Sequence, residues 1–397
     1  SIRPIDYHDS YCQSPRTIFL TGATGFLGVF LLYELLQQTS AKVLCLVRAK
    51  SAQEVYEKLQ SALKQYEIFD PGLMHRVLPI CGDLASSRFG LSMEQFDQLT
   101  KEVDVIYHNG ALVNFMQPYT ALKAANVLGT QEVLRLACTH KTKLVHYVST
   151  LSVFGSGAST NSDSFTEDDF PNPDFDAEDG YSQSKWVAEQ LVRAAADRGL
   201  PVTIHRPATV TGHSDTGVWN TDNFLCRLIR GCIDIGKAPV EQMSFDIVPV
   251  DFVSKAIVYL SQQPSSIGKT FHFNNKSPVK SGNIIDWINT SGYPVQEISY
   301  AEWRESVAAV TKESTSHPLY PLLSMFQEDV ASEGEPGGIR KEYSTAKTED
   351  ALLESGIQCP IADHELIGVY LSYLHRSGML AEPMLRNSFV CSAVGKS

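Results

Sequence analysis

The sequence has no apolar run long enough to cross a bilayer, and its first twenty residues lack the pattern of a signal peptide. None of its eight cysteines forms a Cys-x-x-Cys pair, and no group of His, Cys, Asp and Glu has the spacing of metal ligands. We therefore expect a cytoplasmic protein without a membrane segment or a bound metal ion, whose cysteines are reduced.

An excess of positive charge is also missing. The chain has 33 Lys and Arg against 45 Asp and Glu, a formal net charge of −12. That balance argues against nucleic acid or an anionic membrane as the main partner. At 397 residues, of which 43% are hydrophobic, the chain exceeds one typical domain and has the composition of a globular enzyme.

Strand-like apolar runs alternate with helical patterns through the first half of the chain, which predicts a parallel sheet with helices on both faces. The predicted strands are Thr17–Thr21, Lys42–Val47, Val77–Cys81, Asp104–His108, Lys143–Ser149 and Val202–His205. The predicted helices between them are Phe26–Gln38, Ala52–Tyr66, Tyr119–Thr139 and Tyr181–Arg198. The predicted fold class is α/β, a Rossmann doubly wound parallel sheet.

The alternation stops near Gly212. An amphipathic helix is predicted at Thr221–Ile235, and a helix at Val248–Leu260 with a strand at Thr270–Phe273 is predicted to return to the sheet. We predict an N-terminal linker at 1–15, an NADP-binding Rossmann domain at 16–212 to which 246–275 return, and a smaller, mainly helical C-terminal substrate lobe at 213–245 and 276–397.

A glycine-rich turn joins the first predicted strand to the first helix. Absent side chains let backbone N–H groups approach a pyrophosphate, and the N-terminus of the helix adds favourable charge. In this strand–turn–helix context the turn predicts a dinucleotide site. The predicted cofactor-binding residues in it are Thr21, Gly22, Thr24, Gly25, Phe26, Leu27 and Gly28.

The end of the second strand indicates which nicotinamide dinucleotide binds. An acidic residue about twenty positions on is typical of NAD sites, whereas an arginine accommodates a 2′-phosphate. This chain has Arg48 there and no acid. Because a guanidinium can bind a phosphate bidentately, we predict NADPH/NADP+ as the cofactor. Lys58, in the following helix, either adds a second positive charge or is a solvated helix lysine.

Two further strand ends carry candidate cofactor residues. Asp83 and Leu84 follow the third strand, where a carboxylate could accept a hydrogen bond from an adenine amine. Asn109, Gly110 and Ala111 follow the fourth strand and offer small residues with a polar edge. Each group could also be a simple strand-end turn.

Tyr181 and Lys185 are four residues apart on a predicted helix and therefore share one face. A phenol has an ordinary pKa of about 10, and a neighbouring cation favours its ionised form. We expect Lys185 to lower the pKa of Tyr181 and make the phenol a proton donor or acceptor near neutral pH. With the glycine turn, the pair predicts nicotinamide-dependent carbonyl chemistry.

Together these motifs resemble the extended short-chain dehydrogenase/reductases over nearly the whole chain. The resemblance rests on the glycine turn, Asp83-Leu84, Asn109-Gly110-Ala111, Asn126 in Asn-Val-Leu-Gly-Thr, Ser149-Thr150, Tyr181/Lys185 and Arg206-Pro-Ala-Thr-Val-Thr-Gly212. Later stretches are most similar to the thioester reductase domains that terminate nonribosomal peptide and polyketide synthetases. They include Asp222-Asn-Phe-Leu, Gly236-Lys-Ala-Pro239, Val248-Pro-Val-Asp-Phe-Val-Ser-Lys-Ala-Ile257 and Ser377-Gly-Met-Leu-Ala-Glu-Pro383. Carboxylic acid reductases and aminoadipate reductases contain related domains.

The resemblance implies a catalytic trio of Thr150, Tyr181 and Lys185, although many relatives have Ser where Thr150 stands. Tyr181 and Lys185 would also contact the cofactor. The implied reaction is NADPH-dependent reduction of an acyl or peptidyl thioester on the phosphopantetheine of a carrier protein. The product would be an aldehyde, or an alcohol after a second reduction. The chain would act as a monomer or as part of a multidomain synthetase. The resemblance also adds Pro207, Thr209 and Val210 to the cofactor-binding set.

Three alternatives remain open at this point. A nucleotide-sugar epimerase or dehydratase would use the same residues but usually keeps NAD, which Arg48 disfavours. A fatty acyl-CoA reductase is close in chemistry but often has a membrane-associated C-terminal region, and none is visible. An NADP-sensing regulatory protein of this fold commonly lacks the Tyr/Lys pair, which this chain retains.

Overall fold

The computed structural model describes residues 2–5, 14–155, 164–171, 179–240, 243–326 and 342–384. They form two compact units. The first consists of the described residues of 1–214, 246–277 and 337–361, and the second consists of those of 215–245, 278–336 and 362–397.

The strands are mostly short. They are β1 (Thr17–Thr21), β2 (Lys42–Val47), β3 (Val77–Cys81), β4 (Val105–His108), β5 (Leu144–Val148), β6 (Ser164–Phe165), β7 (Val202–Pro207), β8 (Thr209–Thr211), β9 (Lys237–Pro239), β10 (Ser244–Phe245), β11 (Ile247–Pro249), β12 (Thr270–Phe273), β13 (Val279–Lys280), β14 (Gln296–Ile298) and β15 (Glu342–Tyr343).

The α-helices vary from one to nearly five turns. They are α1 (Phe26–Gln38), α2 (Ala52–Gln65), α3 (Met93–Glu102), α4 (Tyr119–Lys123), α5 (Gly129–Ala137), α6 (Gly180–Ala196), α7 (Phe224–Ile235), α8 (Val250–Ser261), α9 (Ser281–Thr290), α10 (Tyr300–Glu313), α11 (Ala346–Leu352) and α12 (His364–Arg376). A π-helical turn at Ala124–Leu128 joins α4 to α5. Short 3₁₀ helices lie at Met74–Arg76, Ser87–Gly90, Leu151–Phe154, Pro264–Ser266, Tyr320–Phe326 and Leu353–Ser355.

The first unit is built on a seven-stranded sheet in the order β12-β7-β5-β4-β1-β2-β3. Every pairing within it is parallel. β1, β4, β5, β7 and β12 are buried almost throughout, which is why their sequences read as continuous apolar runs. The predicted Rossmann sheet is confirmed, and Thr270–Phe273 is its seventh strand.

The order of the strands reverses between β1 and β4, because β2 and β3 lie on one side of β1 and β4 lies on the other. Ligands of doubly wound sheets bind in the crevice outside the carboxyl ends of the strands at such a reversal. The glycine turn after β1 and Asn109–Ala111 after β4 border this crevice. A ligand of the first unit is therefore expected between these two loops.

The second unit is mainly helical. It contains α7, α9, α10 and α12 together with two short strand pairs, β9 with β14 and β10 with β13. Trp219 and Trp303 are fully buried in it, and Trp219 packs against Tyr370 of α12 with ring centroids 4.7 Å apart. These aromatic residues provide a core for the unit.

The structure differs from the predicted division in two places. Residues 342–361, predicted to lie in the C-terminal lobe, belong to the first unit, where β15 pairs with β6. The Glu167 carboxylate accepts hydrogen bonds from the N–H groups of Lys347 and Thr348, each at 3.1 Å, at the start of α11. Residues 2–5 of the predicted linker also belong to the first unit, and Ile2 packs on its core.

Two features are absent from the described residues. None of their helices combines the length and the apolar character that a bilayer-spanning helix requires. Across the same residues, no three His, Cys, Asp or Glu side chains are grouped so as to hold a metal ion.

Candidate active site

The glycine turn after β1 is closed so tightly that side chains would not fit. Gly22 has a φ of +73°, and a Cβ atom on it would lie 2.7 Å from the Cα of Gly110. A Cβ on Gly28 would lie 1.9 Å from the carbonyl oxygen of Gly22. Gly25 is the N-cap of α1, and no side chain caps the helix there. The first-turn N–H groups of α1 are therefore suited to an anion such as a pyrophosphate, so these residues fit a dinucleotide.

A chain of hydrogen bonds connects this turn with the helix that follows β4. The Thr21 hydroxyl accepts from the Gly110 N–H at 2.9 Å and donates to Nδ1 of His108 at 2.8 Å. The other ring nitrogen of His108 donates to Thr130 at 2.9 Å, and Thr130 donates to the Asn126 carbonyl at 2.6 Å. This order requires a neutral imidazole. Burial, reinforced by the Lys185 charge, lowers the pKa of His108 to about 3, so the ring is neutral.

Asn126 extends the chain of hydrogen bonds to α6. The side-chain NH₂ of Asn126 donates to the Ser184 hydroxyl at 2.8 Å and to the Leu112 carbonyl at 3.0 Å. Its side-chain oxygen accepts from the N–H of Leu112 at 2.7 Å. The structure shows that Asn126 joins the loop after β4 to the helix that carries Tyr181.

The residues after β3 lie beside this crevice. A Cβ on Gly110 would come within 2.6 Å of Leu84, so Leu84 and the loop after β4 are in contact. The Asp83 carboxylate accepts from the N–H of Ala85 at 2.9 Å, an Asx turn that engages one of its two oxygens. The structure thus brings Leu84, Gly110, Asn109 and Gly22 together, and it gives Asp83 a structural role at the strand end.

Arg48 and Lys58 lie at the other side of the glycine turn. Arg48 follows β2 and is exposed. The Lys58 ammonium donates to the Arg48 carbonyl at 2.7 Å and pairs with Glu54 at 2.8 Å. Lys58 and Thr24 line one surface cleft of about 350 Å³, which Glu54 and Glu57 also line. Arg48 is the freer of the two cations, because Lys58 is already neutralised by Glu54.

Thr150, Tyr181 and Lys185 belong to two adjoining elements. Thr150 is separated from the end of β5 by Ser149 and caps the 3₁₀ helix Leu151–Phe154, where its hydroxyl oxygen accepts from the Ser152 N–H at 3.2 Å. Tyr181 and Lys185 lie in the first two turns of α6, whose N-cap Asp179 accepts from the Ser182 N–H at 2.8 Å. The Lys185 ammonium donates to the carbonyl of Val148, the last residue of β5, at 2.7 Å. β5 and α6 are thus joined at the positions that carry the predicted trio.

The direction of the pKa shift at Tyr181 is opposite to the expectation from sequence. Burial raises the pKa of Tyr181 above its ordinary value, and the Asp179 charge adds to the rise. Burial also lowers the pKa of Lys185 to about 7, against the opposing effect of Glu189. The expected depression of the Tyr181 pKa by Lys185 was wrong for this structure, because desolvation and the Asp179 charge both raise it. At Lys185, desolvation outweighs the attraction of Glu189. At neutral pH the phenol is protonated.

Sequence reasoning missed a buried ion pair next to these residues. The Glu189 carboxylate accepts from Arg206 Nη2 at 2.6 Å, from Arg193 Nε at 3.0 Å and from the Ser149 hydroxyl at 2.5 Å. Glu189 and Arg206 are both fully buried. The spacing of Glu189, four residues beyond Lys185 on the same helix, was the available signal. Arg206 also stood in a motif of the sequence without an assigned role.

The last predicted cofactor residues follow β7. Pro207 ends that strand, and Thr209 and Val210 lie in β8, which pairs in parallel with β11. They lie at the carboxyl end of β7, the same edge of the sheet to which the glycine turn belongs. The hydrogen bonds that join the glycine turn, Asn126 and α6 do not include these three residues.

Comparison with known proteins agrees with this architecture. The family model described as "Male sterility protein" matches residues 20–257. The terminal R domain from the myxalamid PKS-NRPS pathway is 43% identical, with a TM-score of 0.87 over 96% of this chain and 94% of that one. The reductase domain of a Mycobacterium tuberculosis nonribosomal peptide synthetase is 29% identical, with a TM-score of 0.76 over 92% and 94% of the two chains.

Relatives of greater length match as well. A linear gramicidin synthase polypeptide of Brevibacillus parabrevis is 43% identical over 92% of this chain, which spans 7% of that protein. The L-2-aminoadipate reductase large subunit of Penicillium chrysogenum is 34% identical over 94% of this chain, which spans 28% of it. A UDP-glucuronic acid 4-epimerase of Bacillus cereus shares the fold at 17% identity. The chain therefore belongs to the male sterility protein family of nicotinamide-dependent reductases and, within it, groups with the reductase domains of nonribosomal peptide synthetases.

Proposed function

We propose that this chain uses NADPH to release an acyl or peptidyl group reductively from a phosphopantetheinyl carrier protein, giving an aldehyde. The observation that carries the proposal is the junction of β5 and α6. That junction carries the hydroxyl of Thr150, the phenol of Tyr181 and the ammonium of Lys185, and the glycine turn of the same unit fits a dinucleotide. The family and its reductase-domain members support the same reaction class.

Tyr181 is the proton donor in this proposal. Because burial raises the pKa of Tyr181, the phenol keeps its proton at neutral pH and can donate it to a carbonyl oxygen that gains negative charge. A buried phenol that was already ionised could not do so. The upward shift therefore suits reduction of a carbonyl better than the reverse oxidation.

Thr150 supplies a second donor. Its oxygen accepts from the Ser152 N–H at 3.2 Å and lies 3.1 Å from the Ser152 hydroxyl. When the Ser152 hydroxyl is the donor of that second contact, the O–H of Thr150 can donate to the substrate. Two preorganised donors on one developing oxyanion remove several kcal/mol from an acyl-transfer barrier. Lys185 is fixed by Val148 and places a positive charge on the same face of α6.

A reduced nicotinamide would supply the hydride that adds to the thioester carbonyl carbon. The protein then holds the oxyanion at Thr150 and Tyr181 until the carbon–sulfur bond breaks, the sulfur leaves as a thiolate, and the carbonyl reforms as an aldehyde. The phenol proton stabilises the oxyanion during this step and returns to Tyr181 as the carbonyl reforms. A second reduction of the aldehyde to an alcohol would consume that proton.

An acyl-enzyme intermediate has no support among the described cysteines. Burial raises the pKa of Cys138 to about 11 and of Cys226, Cys232 and Cys359 to about 12. Burial raises the pKa of Cys45 as well. These thiols remain protonated at neutral pH and are poor nucleophiles. The Cys81 thiol, at the end of β3, donates to the carbonyl of Ala49.

The carrier protein is proposed from the relatives. One neighbouring structure is of a thiolation-reductase di-domain from an archaeal nonribosomal peptide synthetase, 25% identical with a TM-score of 0.74. For NADPH over NADH, the support is Arg48, an exposed cation at the end of β2 with no acidic residue in its place. In the second unit, Arg227 pairs with Asp222 and donates to the Pro318 carbonyl, which leaves it less free to bind a carrier.

One experiment tests the proposal. The protein is mixed with NADPH or NADH and with an acyl group loaded on a carrier protein, and both the loss of the reduced nicotinamide absorbance and the product are followed. We expect NADPH-dependent formation of aldehyde and a free carrier thiol. Release of a carboxylic acid without NADPH consumption, or turnover of a nucleotide sugar instead, would refute the proposal.

A further inference from the structure

The loop after β4 presents a cluster of exposed apolar side chains, named here the 112–116 patch. Leu112, Val113, Phe115 and Met116 are 37%, 59%, 46% and 48% exposed. They are four of the fifteen large hydrophobic side chains that are exposed among the described residues, and they fall within five consecutive positions. Single exposed apolar residues are common on soluble proteins, but a contiguous cluster usually marks a binding surface.

The patch is held in a defined conformation. Asn126 binds both the N–H and the carbonyl of Leu112, at 2.7 and 3.0 Å. The Asn114 side chain accepts from the N–H groups of Met116 and Gln117, at 2.9 and 3.1 Å. Asn126 and Asn114 therefore fix the backbone while the apolar side chains stay partly exposed. A loop that is held in one conformation while its apolar side chains remain in contact with water is better explained by ligand binding than by packing within the protein.

The patch is continuous with the candidate proton donor. The Phe115 ring packs edge-on against the Tyr181 ring, with centroids 5.1 Å apart. Gly180 makes this approach possible, because a Cβ atom there would lie 2.3 Å from the backbone nitrogen of Tyr119. The first turn of α6 therefore lies directly against the end of the loop. A substrate whose carbonyl oxygen reaches the Tyr181 hydroxyl has Phe115 of the 112–116 patch near it.

We infer that the 112–116 patch binds the hydrocarbon part of the acyl group next to the thioester, so that the enzyme prefers aliphatic or aromatic acyl chains over short or polar ones. This inference rests on the proposed function and names the substrate class of the same site. Of the two groups attached to the carbonyl carbon of a thioester, the acyl chain is the one that can be wholly hydrocarbon, and it is therefore the occupant. The phosphopantetheine arm, which leaves with the sulfur, is rich in amides and suits this surface less well.

The test uses Val113→Asn together with Met116→Gln, and it leaves Phe115 in place so that the contact with Tyr181 is kept. The matched control is Met93→Gln, which changes an apolar side chain that is 69% exposed on α3. The substrates are acetyl, butanoyl and octanoyl thioesters of N-acetylcysteamine. We expect kcat/KM of the wild type to rise by up to about fourfold per methylene that the patch buries. In the double variant the octanoyl-to-acetyl ratio should fall by about tenfold or more, whereas Met93→Gln should keep the wild-type ratio.

A binding measurement separates this inference from the proposed function. The unreactive S-octyl and S-ethyl thioethers of N-acetylcysteamine are titrated calorimetrically into the NADP⁺-bound protein. Tighter binding of the S-octyl compound that is lost in the double variant supports the patch, whether or not thioesters are reduced. An unchanged octanoyl-to-acetyl ratio and unchanged thioether binding in the double variant would overturn it, while NADPH-dependent reduction by the wild type would leave the proposed function standing.

A further comparison tests a protein partner as the alternative occupant. The same acetyl and octanoyl groups are loaded on a carrier protein. Equal slowing of both carrier-bound substrates in the double variant, with the ratio for the small thioesters retained, would assign the patch to carrier docking and refute the acyl assignment.

Discussion

The ammonium of Lys185 donates a 2.7 Å hydrogen bond to the carbonyl of Val148 and lies 4.4 Å from the centre of the Tyr147 ring. Both contacts come from β5, so the strand that leads to Thr150 also holds the lysine of α6. Burial at this position lowers the pKa of Lys185 to about 7, with Glu189 acting in the opposite direction. The charge of Lys185 therefore changes within the range of pH in which the enzyme can be assayed.

We predict a loss of activity at alkaline pH that follows this titration. Lys185 is charged below about pH 7 and becomes neutral above it, so its contribution to the rate should fall as the pH rises through that value. The kcat/KM for the thioester is measured from mildly acidic to mildly alkaline pH. In Lys185→Arg the guanidinium stays charged, so its residual activity should lack this alkaline decline. An identical decline in the arginine variant would assign the titration to another group.

The phenol of Tyr181 should be required for the chemical step. Tyr181→Phe keeps the ring that packs on Phe115 and removes only the hydroxyl, so the fold should be unchanged. We expect kcat to fall by roughly 10²–10⁴-fold, the usual contribution of a positioned general acid. Thr150→Ser retains a hydroxyl and should keep most of the activity, whereas Thr150→Val should not. Unchanged turnover in Tyr181→Phe with NADPH at saturation would contradict the proposed mechanism.

The preference for NADPH should depend on Arg48 more than on Lys58. A charge-assisted hydrogen bond is worth about 1.5–3 kcal/mol, so Arg48→Ala should raise the KM for NADPH by roughly 10- to 100-fold. The KM for NADH should change little. Lys58→Ala should have a smaller effect, because Glu54 already neutralises its ammonium at 2.8 Å. Glu54→Gln releases Lys58 and should lower the KM for NADPH, a change in the direction opposite to that of Arg48→Ala.

Much of the secondary structure of the first unit was predictable because it depends on residues that are close together in the sequence. Phe26–Gln38 and Thr270–Phe273 were predicted with the bounds that the structure has, since hydrophobic period and flanking glycines determine both. β15 and β6 were not predicted, because two-residue strands carry no periodic signal. Residues 342–361 return to the first unit through backbone contacts to Glu167, about 180 residues away, and sequence spacing does not contain such pairings.

Motifs predicted the candidate site residues, but they did not predict the environment of those residues. Spacing placed Tyr181 and Lys185 on one face, and it could not show that both would be buried, which decides the direction of their pKa shifts. The contact between Phe115 and Tyr181 joins a loop and a helix that are far apart in the sequence. Such contacts arise from the packing of the sheet, so only the structure reveals them.

The buried pair of Glu189 and Arg206 should be required for stability. Glu189→Gln would leave the fully buried guanidinium of Arg206 without its charge partner, and breaking such a pair usually costs about 3–5 kcal/mol. The free energy of unfolding is measured with urea. The matched control is Asp97→Asn, because the pairs of Asp97 with Lys101 and His140 are exposed to solvent and should contribute little to stability. Equal effects of the two substitutions would show that the buried pair is not stabilising.

Acid should destabilise the protein through four buried histidines. Burial lowers the pKa of His108, His205 and His272 to about 3, and it lowers the pKa of His146 well below its ordinary value. In the unfolded chain each has a pKa of about 6.5, so below that pH the unfolded state binds more protons and stability falls with decreasing pH. Each histidine can contribute up to about 1.4 kcal/mol per pH unit until its folded-state pKa is reached.

The dependence of urea unfolding on pH between about 5 and 8 measures this effect. His205→Gln removes one of the four groups and should reduce the slope below about pH 6.5 by about a quarter. The matched control is His75→Gln, because that substitution replaces an exposed imidazole and leaves all four buried rings in place. The absolute stability of His205→Gln is expected to be lower, since Thr203 loses a 3.0 Å partner. The slope is therefore the informative quantity, and an unchanged slope would mean that His205 is protonated in the folded protein.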